Sequence, residues 1–127
     1  MSRCRHGFDV PRILVIEDES LIATITAETL ADEGYEVRTA SDGSTALEVL
    51  RAWAPCLILL DIMMPVIDGR AFLRELWQLE DLATTPVVLV SGVGGPMLSD
   101  VSMRVADVIR KPFRLELLLD TVARLAT

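Results

Sequence analysis

The chain of 127 residues is short of several things. No apolar run approaches the roughly 20 residues that a membrane-spanning helix needs. The opening residues, 1–10, hold no apolar core of signal-peptide length. Basic residues are outnumbered, with 12 Lys and Arg against 19 Asp and Glu and a net charge of −7. Binding to DNA or RNA relies on Lys and Arg that neutralise phosphates, so nucleic acid is not an expected partner. Arg3 and Arg5 flank Cys4, but two charges do not make a basic patch. There are only two cysteines, Cys4 and Cys56, too few for a disulfide framework. Cys56 opens an apolar stretch and reads as a small buried hydrophobe. Cys4 with His6 would offer two ligands on a loose leader, a poor metal site. These absences leave a cytoplasmic protein without a membrane segment as the expectation.

Just over half of the residues are hydrophobic, 51 %, which suits one domain with one sizeable core. The reading places a leader at residues 1–10 and a domain at 11–127. Within the domain, short β-branched runs alternate with segments of helical period. Strands are expected near residues 12–17, 36–40, 56–60, 86–90 and 106–110. Helices are expected over 20–33, from Asp42-Gly43 to Ala54, over 70–79, weakly over 97–103, and from Leu115 onward. The inward stripes are Ile22, Ile25, Thr29 and Leu30, then Ala46, Leu47, Leu50, Trp53 and Ala54. Phe72, Leu73, Leu76 and Leu79 follow, and then Leu115, Leu118, Val122 and Leu125. Five strand–helix units predict an α/β fold, a doubly wound parallel sheet of flavodoxin-like order 2-1-3-4-5 with five helices. Sites in such sheets form beyond the carboxyl ends of the strands where the order reverses, here at strands 1 and 3.

Polar residues occupy those ends. Glu17 and Asp18 follow strand 1, Asp61 closes strand 3, Ser91 follows strand 4, and Lys111 follows strand 5. Three carboxylates a few ångströms apart cannot all ionise unaided, and one lysine does not offset them. Either protons are retained or a divalent cation sits among them. An all-oxygen ligand set suits Mg²⁺, which typically meets phosphate. The first strand–helix turn, Glu17-Asp18-Glu19-Ser20, repels a bare phosphate, which argues against a flavodoxin-type nucleotide site. With a metal, an aspartate can attack a phosphoryl group. Lys111 would neutralise the far side of that group and Ser91 could donate a hydrogen bond to it. Capping of helices by Glu17, Asp18 or Asp61 is the bland alternative; Asp68, before Gly69, is a better cap for the third helix than Asp61.

Taken together, the chain resembles the receiver domain of two-component response regulators. The residues that carry the resemblance are Glu17-Asp18, Asp61 followed by Met64-Pro65 and Asp68-Gly69, Ser91-Gly92, and Lys111-Pro112-Phe113, across about residues 11–126. The resemblance implies that Asp61 accepts the phosphoryl group. Asp18 and Asp61 would bind Mg²⁺ directly, Glu17 directly or through water, and Met63 by its backbone carbonyl. Ser91 and Lys111 would bind phosphoryl oxygens, and the Lys111-Pro112 bond would be cis.

The implied function is that of a phosphoacceptor in a phosphorelay, a phosphoprotein that assists its own phosphorylation and dephosphorylation but is not otherwise an enzyme. The donor would be a sensor histidine kinase or a histidine phosphotransfer protein. The target would be an unnamed downstream protein, met on a surface shifted by phosphorylation. His6 lies in the leader, so the chain is not expected to be its own phosphohistidine donor. A stand-alone regulator is the expectation from residues 1–127. A binding module with the same fold that works without phosphate is the alternative, and an aspartyl-nucleophile phosphatase a third. The latter typically shows an Asp-x-Asp pair after strand 1, where this chain has Glu17-Asp18-Glu19.

Two departures from the family pattern stand out. Val108 occupies the place, three residues before Lys111, where an aromatic is usual, so a signal would pass through loop and backbone shifts. Arg104-Val105 stands where Gly-Ala is common, and the glycines come earlier, at Gly92, Gly94 and Gly95, predicting a loop and short helix that order only with phosphate. Met63 and Val93 would flank Asp61 with apolar groups and give a long-lived aspartyl phosphate.

Overall fold

A computed structural model describes residues 10–61, 69–92 and 104–126. Five parallel strands form one sheet: β1 (Arg12–Ile16), β2 (Glu36–Ala40), β3 (Leu57–Asp61), β4 (Val87–Ser91) and β5 (Asp107–Arg110), in the order β2-β1-β3-β4-β5. Four helices lie among the described residues: α1 (Ser20–Asp32), α2 (Gly43–Leu50), α3 (Gly69–Leu76) and α4 (Leu115–Ala126). The expected doubly wound fold is therefore present. The expected short helix at 97–103 lies outside the described residues.

The pleat sorts the continuous apolar strands into two cores. Leu14, Ile16, Ile58, Leu60, Val87 and Leu89 face one side and pack with Ala46 and Leu50 of α2 and Phe72, Leu73 and Leu76 of α3. Ile13, Val15, Leu57, Leu59, Val88, Val90 and Ile109 face the other, with Leu30 of α1 and Leu118, Val122 and Ala126 of α4. Successive side chains point to opposite faces, so strands covered on both sides must be apolar throughout. β3 and β4 are buried at every position, whereas the edge strand β2 carries Glu36, Arg38 and Thr39 exposed.

Local chemistry fixes the ends of the helices. Asp42 caps α2, its carboxylate accepting from the Thr45 backbone N–H at 2.8 Å. After α1 the chain reverses at Gly34 with φ +98°, a conformation that side-chain-bearing residues rarely adopt.

Some expected inward positions face water. α3 stops at Leu76, three residues early, and Leu79 falls in the following turn with 42 % of its surface exposed. Ile25 and Leu115 are likewise exposed, each lying at the margin of its helix stripe. Leu117 is exposed as its place off the stripe predicts. Trp53 lies beyond the end of α2 yet is buried. Its indole N–H donates to Glu36 (3.2 Å), and the guanidinium groups of Arg38 and Arg12 lie 4.9 Å and 5.5 Å from its ring centre. Cys56 is buried as expected, but it is disulfide-bonded rather than a free thiol, and the other half of the bond lies outside the described residues. A disulfide was not expected from two cysteines; composition does not reveal that the start of β3 lies beside the entry to β1, where the Cys56 N–H donates to the Arg12 carbonyl at 2.7 Å.

Candidate functional site

The same pleat that sorts the cores assembles the site. Val15, Leu59 and Ile109 all face the α1/α4 side. Two residues further along each strand direction come Glu17, Asp61 and Lys111, so parity alone brings them to one face at the carboxyl edge. Register holds them level: Ile16 pairs with Leu60, Asp61 with Val90, and Ser91 with Arg110. Backbone bonds extend the ladder at the rim, from Glu17 N–H to the Ala40 carbonyl at 3.0 Å and from Lys111 N–H to the Ser91 carbonyl at 2.8 Å.

Carboxylate oxygens of Glu17, Asp18 and Asp61 all lie within 4.8 Å of one another. Glu17 and Asp61 are buried and Asp18 is exposed, so the cluster has two walls and one open side. Lys111 Nζ reaches both buried carboxylates, donating to Asp61 Oδ2 at 3.3 Å and to Glu17 Oε1 at 3.4 Å. Glu17 Oε2 accepts from the Glu19 backbone N–H at 3.2 Å.

The electrostatics follow from this crowding. Burial pushes the Glu17 carboxyl up to about 7; the Asp61 charge adds to the rise, while the Glu19 N–H and Lys111 oppose it. Burial alone would lower the Lys111 ammonium, but the Asp61 and Glu17 carboxylates outweigh it and hold the group above the ordinary lysine value.

Four of the residues singled out in the sequence, Glu17, Asp18, Asp61 and Lys111, thus meet in space. Ser91 closes the neighbouring strand and is fully buried. It shares its parity with Val87 and Leu89, whose side chains face α2 and α3, so in β4 it starts from the opposite face to Asp61. Lys111-Pro112 is cis, as the resemblance implied. Met63, Asp68, Val93 and the glycines at 94 and 95 lie outside the described residues. Val108 is partly buried against the α2/α3 core, opposite Leu89 in the ladder.

Sequence reasoning missed an apolar hollow beside the cluster. Lys111 forms one wall, with Ile22, Ile25, Thr26, Phe113 and Leu115 around a space of about 530 Å³. Its signal in the sequence was Ile25 and Leu115, which looked like core positions because periodicity records apolarity and not what covers it.

A five-stranded doubly wound sheet with three clustered carboxylates and a lysine at its switch point defines a flavodoxin-like domain with a charged cluster at one rim that could hold a metal ion. Residues 13–123 match the family model of the response regulator receiver domain. The chain belongs to that family. Among curated relatives, it is 36 % identical over 104 residues to a probable transcriptional regulator, ycf27, of Pyropia yezoensis, covering 80 % of this chain and 42 % of that protein. It is 37 % identical over 107 residues to a protein-glutamate methylesterase/protein-glutamine glutaminase of Anaeromyxobacter dehalogenans, covering 80 % and 30 %. The chain spans less than half the length of these relatives. Among solved structures, the chemotaxis protein CheY4 of Vibrio cholerae superimposes with a TM-score of 0.86 at 29 % identity, covering 91 % of this chain and 98 % of that one. The chain is thus a receiver domain of two-component signalling. No helix among the described residues is long and apolar enough to cross a membrane.

Proposed function

We propose that the protein is the phosphoacceptor of a phosphorelay and that Asp61 takes a phosphoryl group from a phosphohistidine. The observation that carries this reading is the placement of Asp61: its carboxylate lies 3.3 Å from Lys111 Nζ and within 4.8 Å of Glu17 and Asp18. An Asp61 carboxylate oxygen forms the new bond to phosphorus as the phosphorus–nitrogen bond to histidine breaks, and the imidazole leaves with a proton in place of the phosphoryl group. The transfer needs positioning and charge neutralisation more than covalent help. The rigid end of β3 supplies the first and Lys111 half of the second.

The rest calls for a divalent cation. Three carboxylates against one lysine leave negative charge over, and the Asp61 charge adds to the rise that burial imposes on the Glu17 carboxyl. The donor set is all oxygen and open on the Asp18 side, which fits Mg²⁺ with retained waters. Glu17, Asp18 and Asp61 would hold it, with the Met63 carbonyl as a further ligand. Bound there, Mg²⁺ would neutralise phosphoryl oxygens that Lys111 does not reach. Ser91 would turn toward the phosphoryl group, and that movement would bias a partner-binding surface between two states.

The donor would be a sensor histidine kinase or a histidine phosphotransfer protein, docked over the apolar hollow of Ile22, Ile25 and Leu115, which opens beside Lys111. The output is an unnamed downstream protein and the compartment the cytoplasm. Beyond assisting its own phosphorylation and dephosphorylation, the domain is not an enzyme.

Incubation with Mg²⁺ and acetyl phosphate, followed by intact mass, tests the proposal. The protein gains one phosphoryl group, and Asp61→Asn gains none. No adduct, under conditions that label another receiver, would leave a binding module that acts without phosphate. Sustained turnover of phosphate esters would make it a phosphatase.

A further inference from the structure

A second concavity lies at the other end of the sheet, between α2 and α3 and beyond the amino ends of the strands. It encloses about 650 Å³. Its floor is apolar and is formed by Leu50, Trp53 and Leu82, all buried. Its two walls differ in sign. Arg51, the residue that ends α2, is exposed on one side. Arg12, 5.5 Å from the ring centre of Trp53, adds a second cation to that side. Glu75 near the end of α3, with Glu80 and Asp81 in the turn that follows, is exposed on the other.

Among the described residues, Arg51, Glu75, Glu80 and Asp81 make no ion pair, either across the groove or with other side chains. The groove thus holds charges of both signs apart over an apolar floor. Leu79 stands on the acidic wall with 42 % of its surface exposed. A single exposed leucine is ordinary, but this one borders the apolar floor and extends it outward. The chain carries a net charge of −7, so two copies repel through any face of one sign. A face divided by sign is one that two copies can share.

We propose that the occupant of this groove is a second copy of the chain, in a twofold pair whose axis runs along the groove. Rotation by 180° about that axis lays the α2 wall of each copy over the α3 wall of the other. Arg51 of each copy then meets Glu80 and Asp81 of the other, and Leu79 of each is covered by the α2 wall of the other. An axis across the groove would set like charges against each other, so the division of sign selects the first arrangement. The contact is isologous: the same patch serves both copies, and each charge pairing occurs twice. The groove lies at the amino ends of the strands and Asp61 at the carboxyl ends, so pairing leaves the Asp61 rim of both copies open.

Sedimentation velocity of the full chain, over a concentration series reaching about 1 mM, the weak end of specific association, tests the pairing. The parent passes from monomer to dimer as concentration rises. Arg51→Glu raises the Kd of the dimer about tenfold or more, and Glu80→Arg with Asp81→Arg does the same, because each reversal acts at both symmetry-related contacts. Mixed in equal amounts, these two variants associate about as tightly as the parent, since each 51-to-80/81 contact in the mixed pair again joins opposite charges. Leu79→Ala weakens the dimer several-fold with no change of charge. If Arg51→Glu misfolds by circular dichroism, the acidic-wall variant and Leu79→Ala carry the test. A parent that stays monomeric throughout, association that the reversals leave unchanged, or a mixture no tighter than its separate variants would each overturn the proposal.

Discussion

Lys111 Nζ sits 3.3 Å from Asp61 Oδ2, and both residues are delivered by strand parity rather than by a loop. Lys111 follows β5 and Asp61 ends β3, with β4 between them in the sheet. If Asp61 is the phosphoacceptor as proposed, a cation fixed this way would be in place before the phosphoryl group arrives, and its charge would act on the transfer without reorganisation. Lys111→Met keeps much of the side-chain stem and removes only the ammonium. It should slow labelling of Asp61 by acetyl phosphate about tenfold or more, read from the time course of intact mass.

Glu17 predicts an unusual pH dependence in the metal-free protein. Its folded carboxyl titrates near 7, against an ordinary value of 4.5, chiefly because it is buried. Between those values the folded state binds more protons than the unfolded state. Stability therefore falls as pH rises from about 4.5 through 7, and the full cost is present above 7. Thermal unfolding in EDTA should show the midpoint dropping over that window. Glu17→Gln should flatten the drop, and millimolar Mg²⁺ should offset it, because metal binding favours the ionised carboxylate. A midpoint that rises across the window in EDTA would contradict the assignment.

Asp18 separates metal binding from folding. Its carboxylate shares the cluster, but unlike Glu17 and Asp61 it is exposed. Removing it deletes one of the three carboxylates that could hold a metal, without opening a cavity. Asp18→Asn should weaken Mg²⁺ binding about tenfold by calorimetric titration. The metal-free unfolding free energy should stay within about 0.5 kcal/mol of the parent, as is usual for surface changes.

Much of this was legible in the sequence because two-sided burial leaves a plain mark. β3 and β4 read as unbroken apolar runs, and the polar residues ending them, Asp61 and Ser91, could only lie at a rim. Handedness and alternation left a few strand orders, of which 2-1-3-4-5 was favoured and is present, and the Glu17–Asp18–Asp61–Lys111 meeting goes with that order. Other features left no such mark. Leu79 matched a helical period that the chain abandons at Leu76. Ile25 and Leu115 matched it too, but border a hollow instead of the core. Trp53 reads as a helix position, yet its burial depends on Arg12, Arg38 and Glu36 from two strands, a contact that no local pattern encodes. The Cys56 disulfide depends on proximity in space, which spacing along the chain does not report.

Arg104 and Trp77 offer a measurable coupling on the α3 side of the sheet. The Arg104 guanidinium lies 4.4 Å from the Trp77 ring centre, just ahead of β5. Trp77, Val105 and Val108 are all partly buried against the α2/α3 core. The contact thus ties the segment entering β5 to the end of α3, near the position where the family usually places an aromatic. An exposed cation over an indole contributes about 0.5–1 kcal/mol. Arg104→Ala should cost that much in urea unfolding with little change in slope. Trp77→Leu alone also loses packing, so its total cost does not isolate the pair. In the double variant the two losses should fall short of their sum by about 0.5–1 kcal/mol. Strict additivity would mean that the ring and the guanidinium are neighbours without being energetically coupled.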